Sequence, residues 1–222
     1  MKCEYCILCM ENIYRKQTIY DYIKQDSVLC GECKSQLEVL NIKTKLDEIT
    51  LHVVYQYNDF IENMIFQYKE GHDVALREVF FHDVIKNIND KFRHYTIVLM
   101  PSSNEKMEER GYLPVKEMLK DCKLNMIEPF YKSENRKQSL QSFENRAHIN
   151  EVIKLKSDIR LPKTKLLLVD DVCTSGSTLK CAYCLLKKHT YKIEALALCA
   201  HPLFVENCDK LRLNKRGIFS IL

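Results

Sequence analysis

Two adjacent carboxylates, Asp170 and Asp171, follow the apolar run Leu166-Leu167-Leu168-Val169 and precede Thr174-Ser175-Gly176-Ser177-Thr178. A buried strand of this kind delivers its acids to the carboxyl end of a sheet, where open parallel sheets place their ligands. The small residues that follow let a backbone fold closely around an anion. The helix they open turns free N–H groups toward it. Hydroxyls of Thr174, Ser175, Ser177 and Thr178 add side-chain donors. An anion cradle beside two carboxylates suits a ligand with phosphate at one end and vicinal hydroxyls near it, a ribose 5-phosphate. The same residues also serve a plain N-capped helix, because Ser, Thr and Asp are common caps.

A second constellation is made of sulfur. Cys6-x-x-Cys9 and Cys30-x-x-Cys33 are two thiol pairs near the N-terminus. Tetrahedral Zn²⁺ takes four such ligands, and a site with no open position is structural. Cys3, three residues before Cys6, is an alternative partner in the first pair. Cys181-x-x-Cys184 falls inside an expected helix with no second pair, and reads as core cysteines on one helix face. No role follows from the spacing of Cys122, Cys173, Cys199 or Cys208.

These residues need elements to position them. The chain has 222 residues, 46% hydrophobic and 29% charged, with a formal charge of +4, which suits one α/β domain with a small appendage. Its five glycines form neither a G-x-G-x-x-G nor a Walker arrangement, so any phosphate cradle uses a different loop. Continuous apolar runs at 95–100, 165–169 and 192–199 read as buried strands. Segments 104–120 and 177–189 read as helices. Residues 50–92 carry apolar residues at helical spacing, and Ala75, Leu76, Val79, Phe80, Val84, Ile85, Ile88 and Phe92 mark one face of a long helix. Strands alternating with helices predict a parallel sheet flanked by helices on both faces. The polar stretch 132–150 reads as a loop or amphipathic helix. Residues 1–40, with five of the eleven cysteines, stand apart. No apolar signal region or membrane-spanning stretch is visible, so the expected setting is cytoplasmic and reducing, without membrane insertion.

Segment 166–178 resembles the signature by which type I phosphoribosyltransferases bind phosphoribosyl pyrophosphate (PRPP): four apolar residues, two acids, then a Thr/Ser/Gly loop. Over essentially the whole chain the sequence resembles the ComF (ComFC) competence-protein family. Cys6-Ile7-Leu8-Cys9 is similar to its first knuckle, and Tyr55-x-Tyr57 followed by Ile61, Ile65 and Lys69 to its Tyr-x-Tyr…Lys segment. Arg110-Gly111-Tyr112 resembles its Arg-Gly-Phe, and Gln138 with Arg146 its Gln…Arg pair. Leu99-Met100-Pro101-Ser102 departs from the family's Pro-Val-Pro, and Leu113 from its Asn.

The resemblance implies a type I phosphoribosyltransferase fold, with a zinc-binding segment at 1–40 and a transferase-like domain at 41–222, divided into a hood (41–92) and a core (93–222). It implies Asp170 and Asp171 as the catalytic pair and Thr174, Ser175, Gly176, Ser177 and Thr178 around the 5-phosphate. Pro101, Ser102 and Ser103 fall in the pyrophosphate loop 101–106, and Arg110, Arg136 and Arg146 become candidate phosphate clamps. Mg²⁺ would accompany PRPP, and Cys6, Cys9, Cys30 and Cys33 would hold Zn²⁺. The implied role is in DNA uptake during natural transformation, with single-stranded DNA or a competence helicase as partner. The chain's own support for a DNA partner is mild basicity and the basic stretch at 132–137, near Phe130, Tyr131 and Phe143. Two other readings stand beside it: a nucleotide-salvage phosphoribosyltransferase, and a non-catalytic PRPP sensor or scaffold.

Overall fold

The structure, a computed structural model, describes residues 4–13, 28–133, 152–190 and 192–201. Its centre is a six-stranded sheet in the order β1-β2-β8-β7-β3-β4. The strands are β1 (Val39–Leu46), β2 (Ile49–Gln56), β3 (Tyr95–Leu99), β4 (Met126–Ile127), β7 (Lys165–Cys173) and β8 (Ile193–Ala200). A separate antiparallel pair joins β5 (Phe130–Ser133) to β6 (Val152–Leu155). All pairings within the large sheet are parallel except β1 with β2, which form a hairpin at one edge. Every residue of β3 and β8 is buried, as central strands covered on both faces require.

Side chains alternate across a strand, so each strand feeds two cores. Leu167, Val169, Leu196 and Leu198 face one, and Leu166, Leu168, Ala195 and Ala197 the other. The first core is closed by helices α2 (Asp59–Lys69), α3 (Arg77–Phe80), α4 (Ile85–Lys91) and α6 (Pro114–Met118), with α5 (Asn104–Arg110) beside it. The second is closed by α7 (Ser177–Leu186) through Leu179, Ala182 and Leu186. Cys6, Ile13, Leu29, Cys30 and Cys33 of the N-terminal segment, with the short helix α1 (Gly31–Ser35), pack into the first core.

Four sequence expectations give way here, the first being the helix expected over 104–120, which is broken at Gly111, φ +72°, into α5 and α6. Residues 50–56, read as helical, belong to β2; Leu51, Val53, Val54 and Tyr55 are all buried, and burial on both faces erases the two-residue alternation that marks a strand. The long helix expected through Phe92 is broken into a 3₁₀ turn at Val74–Leu76, then α3, then α4. Neither α3 nor α4 has a side-chain cap, and Phe81, at the break, is itself buried. The periodicity there recorded burial and not a continuous helix. Finally, Cys184 is exposed and Cys181 half-buried, so these two are not a core pair.

Candidate functional site

The carboxyl ends of the parallel strands lie together at one end of the sheet. β7 carries Asp170 and Asp171 there, and β3, paired with it through Leu99 and Val169, carries Pro101, Ser102 and Ser103. The structure therefore brings the expected ribose and pyrophosphate segments side by side. Both acids still lie on the strand, so they leave it on opposite faces. Asp171 turns toward α2, where its carboxylate pairs with the ammonium of Lys69. Asp170 lies on the other face, where the charge of Lys132 from β5 reaches it. Loss of solvation first, and the neighbouring Asp171 carboxylate second, push Asp170 up to about 7, against the pull of Lys69.

Beyond Cys173 the chain turns through Thr174 and Ser175, both exposed, into Gly176 at φ +71°. Only glycine adopts that left-handed conformation without strain. An added β-carbon would also stand 2.7 Å from both δ-carbons of Leu46. Gly176 opens α7, whose N–H groups face the same end of the sheet. Ser175 Oγ accepts from the Ser177 N–H at 3.3 Å and donates to Ser177 Oγ at 3.0 Å. The hydroxyls of the loop are thus drawn together around the helix start, with Ser177 exposed and Thr178 half-buried.

The cationic side is built on α2. Its C-terminal end is gripped by the segment that follows the 101–103 loop. The Arg110 guanidinium donates to the Lys69 carbonyl at 2.8 Å and to the Glu70 carboxylate at 2.6 Å, and Tyr112 donates its hydroxyl to the Tyr68 carbonyl at 2.7 Å. Tyr68 in turn donates to the Pro114 carbonyl at 2.9 Å. Arg110 is buried at 9% exposure. The guanidinium, read from the sequence as a candidate phosphate clamp, fixes the helix end that presents Lys69, because Glu70 and the Lys69 carbonyl lie within reach of its fork. Lys106 also pairs with Glu70, at 3.1 Å, and these cations hold the Glu70 carboxyl below its usual range. Beside this helix end opens a cleft of about 170 Å³ lined by Tyr57, Glu62, Ile65, Phe66, Lys69, Glu70 and Val172. The Lys69–Asp171 pair and the role of Glu70 were missed from sequence. The one trace was Lys69 itself, counted only as a family marker.

The four sulfurs of Cys6, Cys9, Cys30 and Cys33 lie within 4.8 Å of one another, with Cys9 and Cys30 Sγ 3.6 Å apart. That spacing fits one tetrahedral Zn²⁺ at Zn–S distances of about 2.3 Å. The antiparallel bridge Tyr5–Asn12 and the bond from Cys6 N–H to the Glu11 carbonyl, 2.8 Å, fold the first knuckle. Cys30 caps α1 and accepts from the Cys33 N–H at 3.5 Å. Burial raises the Cys6 thiol, but surrounding backbone N–H donors outweigh it and lower it to about 7. Cys3, the alternative ligand, lies outside the described residues, as do Cys208, Arg136, Gln138, Phe143 and Arg146. Among the described stretch near 132–137, Phe130 is buried and Tyr131 exposed.

No family model matches the chain. It is 24% identical over 200 residues to Competence protein ComFC of Streptococcus pneumoniae (strain ATCC BAA-255 / R6), covering 81% of this chain and 90% of that one. It is 28% identical over 214 residues to Competence protein ComFC of Bacillus subtilis (strain 168), covering 82% and 89%. Among solved structures, a hypoxanthine-guanine phosphoribosyltransferase from Bacillus anthracis str. 'Ames Ancestor' aligns at TM-score 0.36 and 17% identity, over 59% of this chain and 70% of that one. The APRTase from Giardia lamblia complexed with 9-deazaadenine aligns at TM-score 0.40 and 12% identity, over 77% and 96%. The two sequence relatives, each matched along most of both chains, bear out the resemblance to the ComF (ComFC) family that the motifs carry.

Proposed function

We propose that this chain is a PRPP-binding, phosphoribosyltransferase-like protein of the ComF type, acting in DNA uptake. One observation carries the reading: Asp170 and Asp171 stand at the carboxyl end of β7, directly before a hydroxyl-lined turn through left-handed Gly176 into α7. The 5-phosphate is taken by the N–H groups and hydroxyls of 174–178, and the pyrophosphate lies toward Pro101, Ser102 and Ser103 on the adjacent strand end. Asp171 accepts a ribose hydroxyl. Asp170, its carboxyl raised by burial and by the Asp171 charge, is the second acid at the ribose end. Mg²⁺ suits this place because two carboxylates border an anion cradle; bound there it would neutralise the pyrophosphate. Displacement at C1 of the ribose would then rest on positioning and charge stabilisation.

Four cysteines within ligand distance of one another support a structural Zn²⁺ that ties the N-terminal segment to the first core. The name of the two relatives supports the DNA-uptake role, with single-stranded DNA or a competence helicase as partner. Among the described residues no helix is long and apolar enough to cross a membrane.

A nucleotide-salvage activity is the second reading. The cleft beside Asp171, with Tyr57 and the exposed Phe66 in its wall, offers aromatic surface to a flat base. Incubation with Mg²⁺, PRPP and a panel of nucleobases, followed by pyrophosphate assay, separates the readings. Pyrophosphate release with one base supports salvage. Tight PRPP binding without release supports the DNA-handling or sensor role, and absence of PRPP binding refutes both.

A further inference from the structure

Lys69 occupies a position that the proposed chemistry has not used. It is the last residue of α2, its side chain is 21% exposed, and its ammonium sits on the Asp171 carboxylate, itself 14% exposed. Three contacts from the 110–114 segment fix this helix end: Arg110 to the Lys69 carbonyl, Arg110 to Glu70, and Tyr112 to the Tyr68 carbonyl. So much anchoring of one helix turn holds the lysine stem at a set place against Asp171 of β7, from which the chain runs on to 174–178; the segment that grips the turn follows 101–103 through α5 to Arg110.

A half-buried ammonium paired with the carboxylate that must accept a ribose hydroxyl is a competitor for that carboxylate. A ligand carrying several negative charges draws the ammonium away, because a phosphate group holds more charge than one carboxylate. Of the nearby cations, Arg110 and Lys106 are engaged by Glu70.

We propose that Lys69 is a ligand-binding residue that changes partners: its ammonium neutralises Asp171 in the free protein and moves to the pyrophosphate of the bound ligand, releasing the Asp171 carboxylate to the ribose. This rests on the PRPP reading given above.

The test separates this from a counter-ion role. Magnesium pyrophosphate is titrated by calorimetry into the wild type, Lys69→Met, Asp171→Asn and the double variant, with magnesium PRPP titrated into the wild type alongside. Loss of a charged contact predicts a tenfold to hundredfold weaker affinity, as an order of magnitude, for Lys69→Met and for the double variant relative to Asp171→Asn. Asp171→Asn serves as the reference for the double variant, because both lack the carboxylate and the two differ at Lys69 alone. Lys69→Arg restores most of the affinity. If Lys69 serves only to balance Asp171, the double variant and Asp171→Asn bind equally, and the inference is overturned. The double variant leaves no uncompensated charge, so a folding defect in Lys69→Met does not blunt the comparison. A wild type that binds neither PRPP nor pyrophosphate defeats the PRPP reading; one that binds both, with Lys69→Met unaffected, defeats only the exchange of partners.

Discussion

Replacing Gly176 with alanine isolates the loop that cradles the anion. Two penalties follow from its geometry. The backbone stands at φ +71°, where a β-carbon costs about 1–2 kcal/mol. The new carbon would also meet both δ-carbons of Leu46 at 2.7 Å, and Leu46 is 3% exposed within the second core. Overpacking of this kind adds about 1–3 kcal/mol, reduced to the extent that Leu46 changes rotamer. Together these predict about 2–5 kcal/mol, which for a chain of this size lowers the melting temperature by about 4–20 °C. Thermal unfolding is the assay, run on Gly176→Ala in the wild type and in a Leu46→Ala background. The truncated leucine removes the clash, so the alanine should cost less there, leaving about 1–2 kcal/mol of backbone strain. An unchanged melting temperature in Gly176→Ala refutes the reasoning entirely, and equal costs in both backgrounds refute the Leu46 part. Because the glycine is required by the fold, loss of ligand binding in a Gly176 variant would not by itself locate the ligand.

Other outcomes follow from the same geometry. Metal analysis of protein purified without chelators should find about one Zn²⁺ per chain, and Cys30→Ser should lose it along with the packing of Ile13 and Leu29; zinc-free protein with an intact fold contradicts the assignment. His52 is buried at 1% exposure, with Nε2 2.7 Å from Glu194 and Nδ1 3.1 Å from the Lys91 ammonium. Burial lowers its pKa despite Glu194, so below pH of about 6.5 the unfolded chain binds the extra proton and stability falls on acidification. His52→Gln should flatten that pH dependence in denaturant titrations, and an unchanged slope would show that other groups cause it. If phosphate contacts hold single-stranded DNA, affinity should fall steeply with salt, and Lys132→Gln should reduce the slope by about 0.7; salt-independent binding would exclude this mode.

The elements around β7 were legible because continuous apolar runs ended in turn residues at 101–104 and, past the two acids, at 174–178. The same signal failed at β2. There Ile49, Leu51, Val53 and Val54 are buried on both sides and show no period that separates strand from helix. The four cysteines were legible because a shared metal would impose such spacing on the sequence itself. The role of Arg110 was not, since nothing local marks Glu70 and the Lys69 carbonyl, 40 residues away, as its partners. Nor was the buried network of Glu194, because two of its partners, Tyr95 at 2.7 Å and His52 at 2.7 Å, are remote in sequence. Alternation within a strand did predict, once β7 was seen to run through Asp170 and Asp171, that the two carboxylates must diverge.

The central claim is that PRPP binds at the end of β7. The direct measurement is a calorimetric titration of magnesium PRPP into the wild type and into the double variant Asp170→Asn/Asp171→Asn, which keeps the size of both side chains and removes their charge. Each lost charged hydrogen bond is worth about 1.5–3 kcal/mol, so the double variant should bind at least about a hundredfold more weakly. Circular dichroism on the same samples should show an unchanged fold. If the wild type binds PRPP and the variant binds it equally well, the ligand lies elsewhere and the account is wrong.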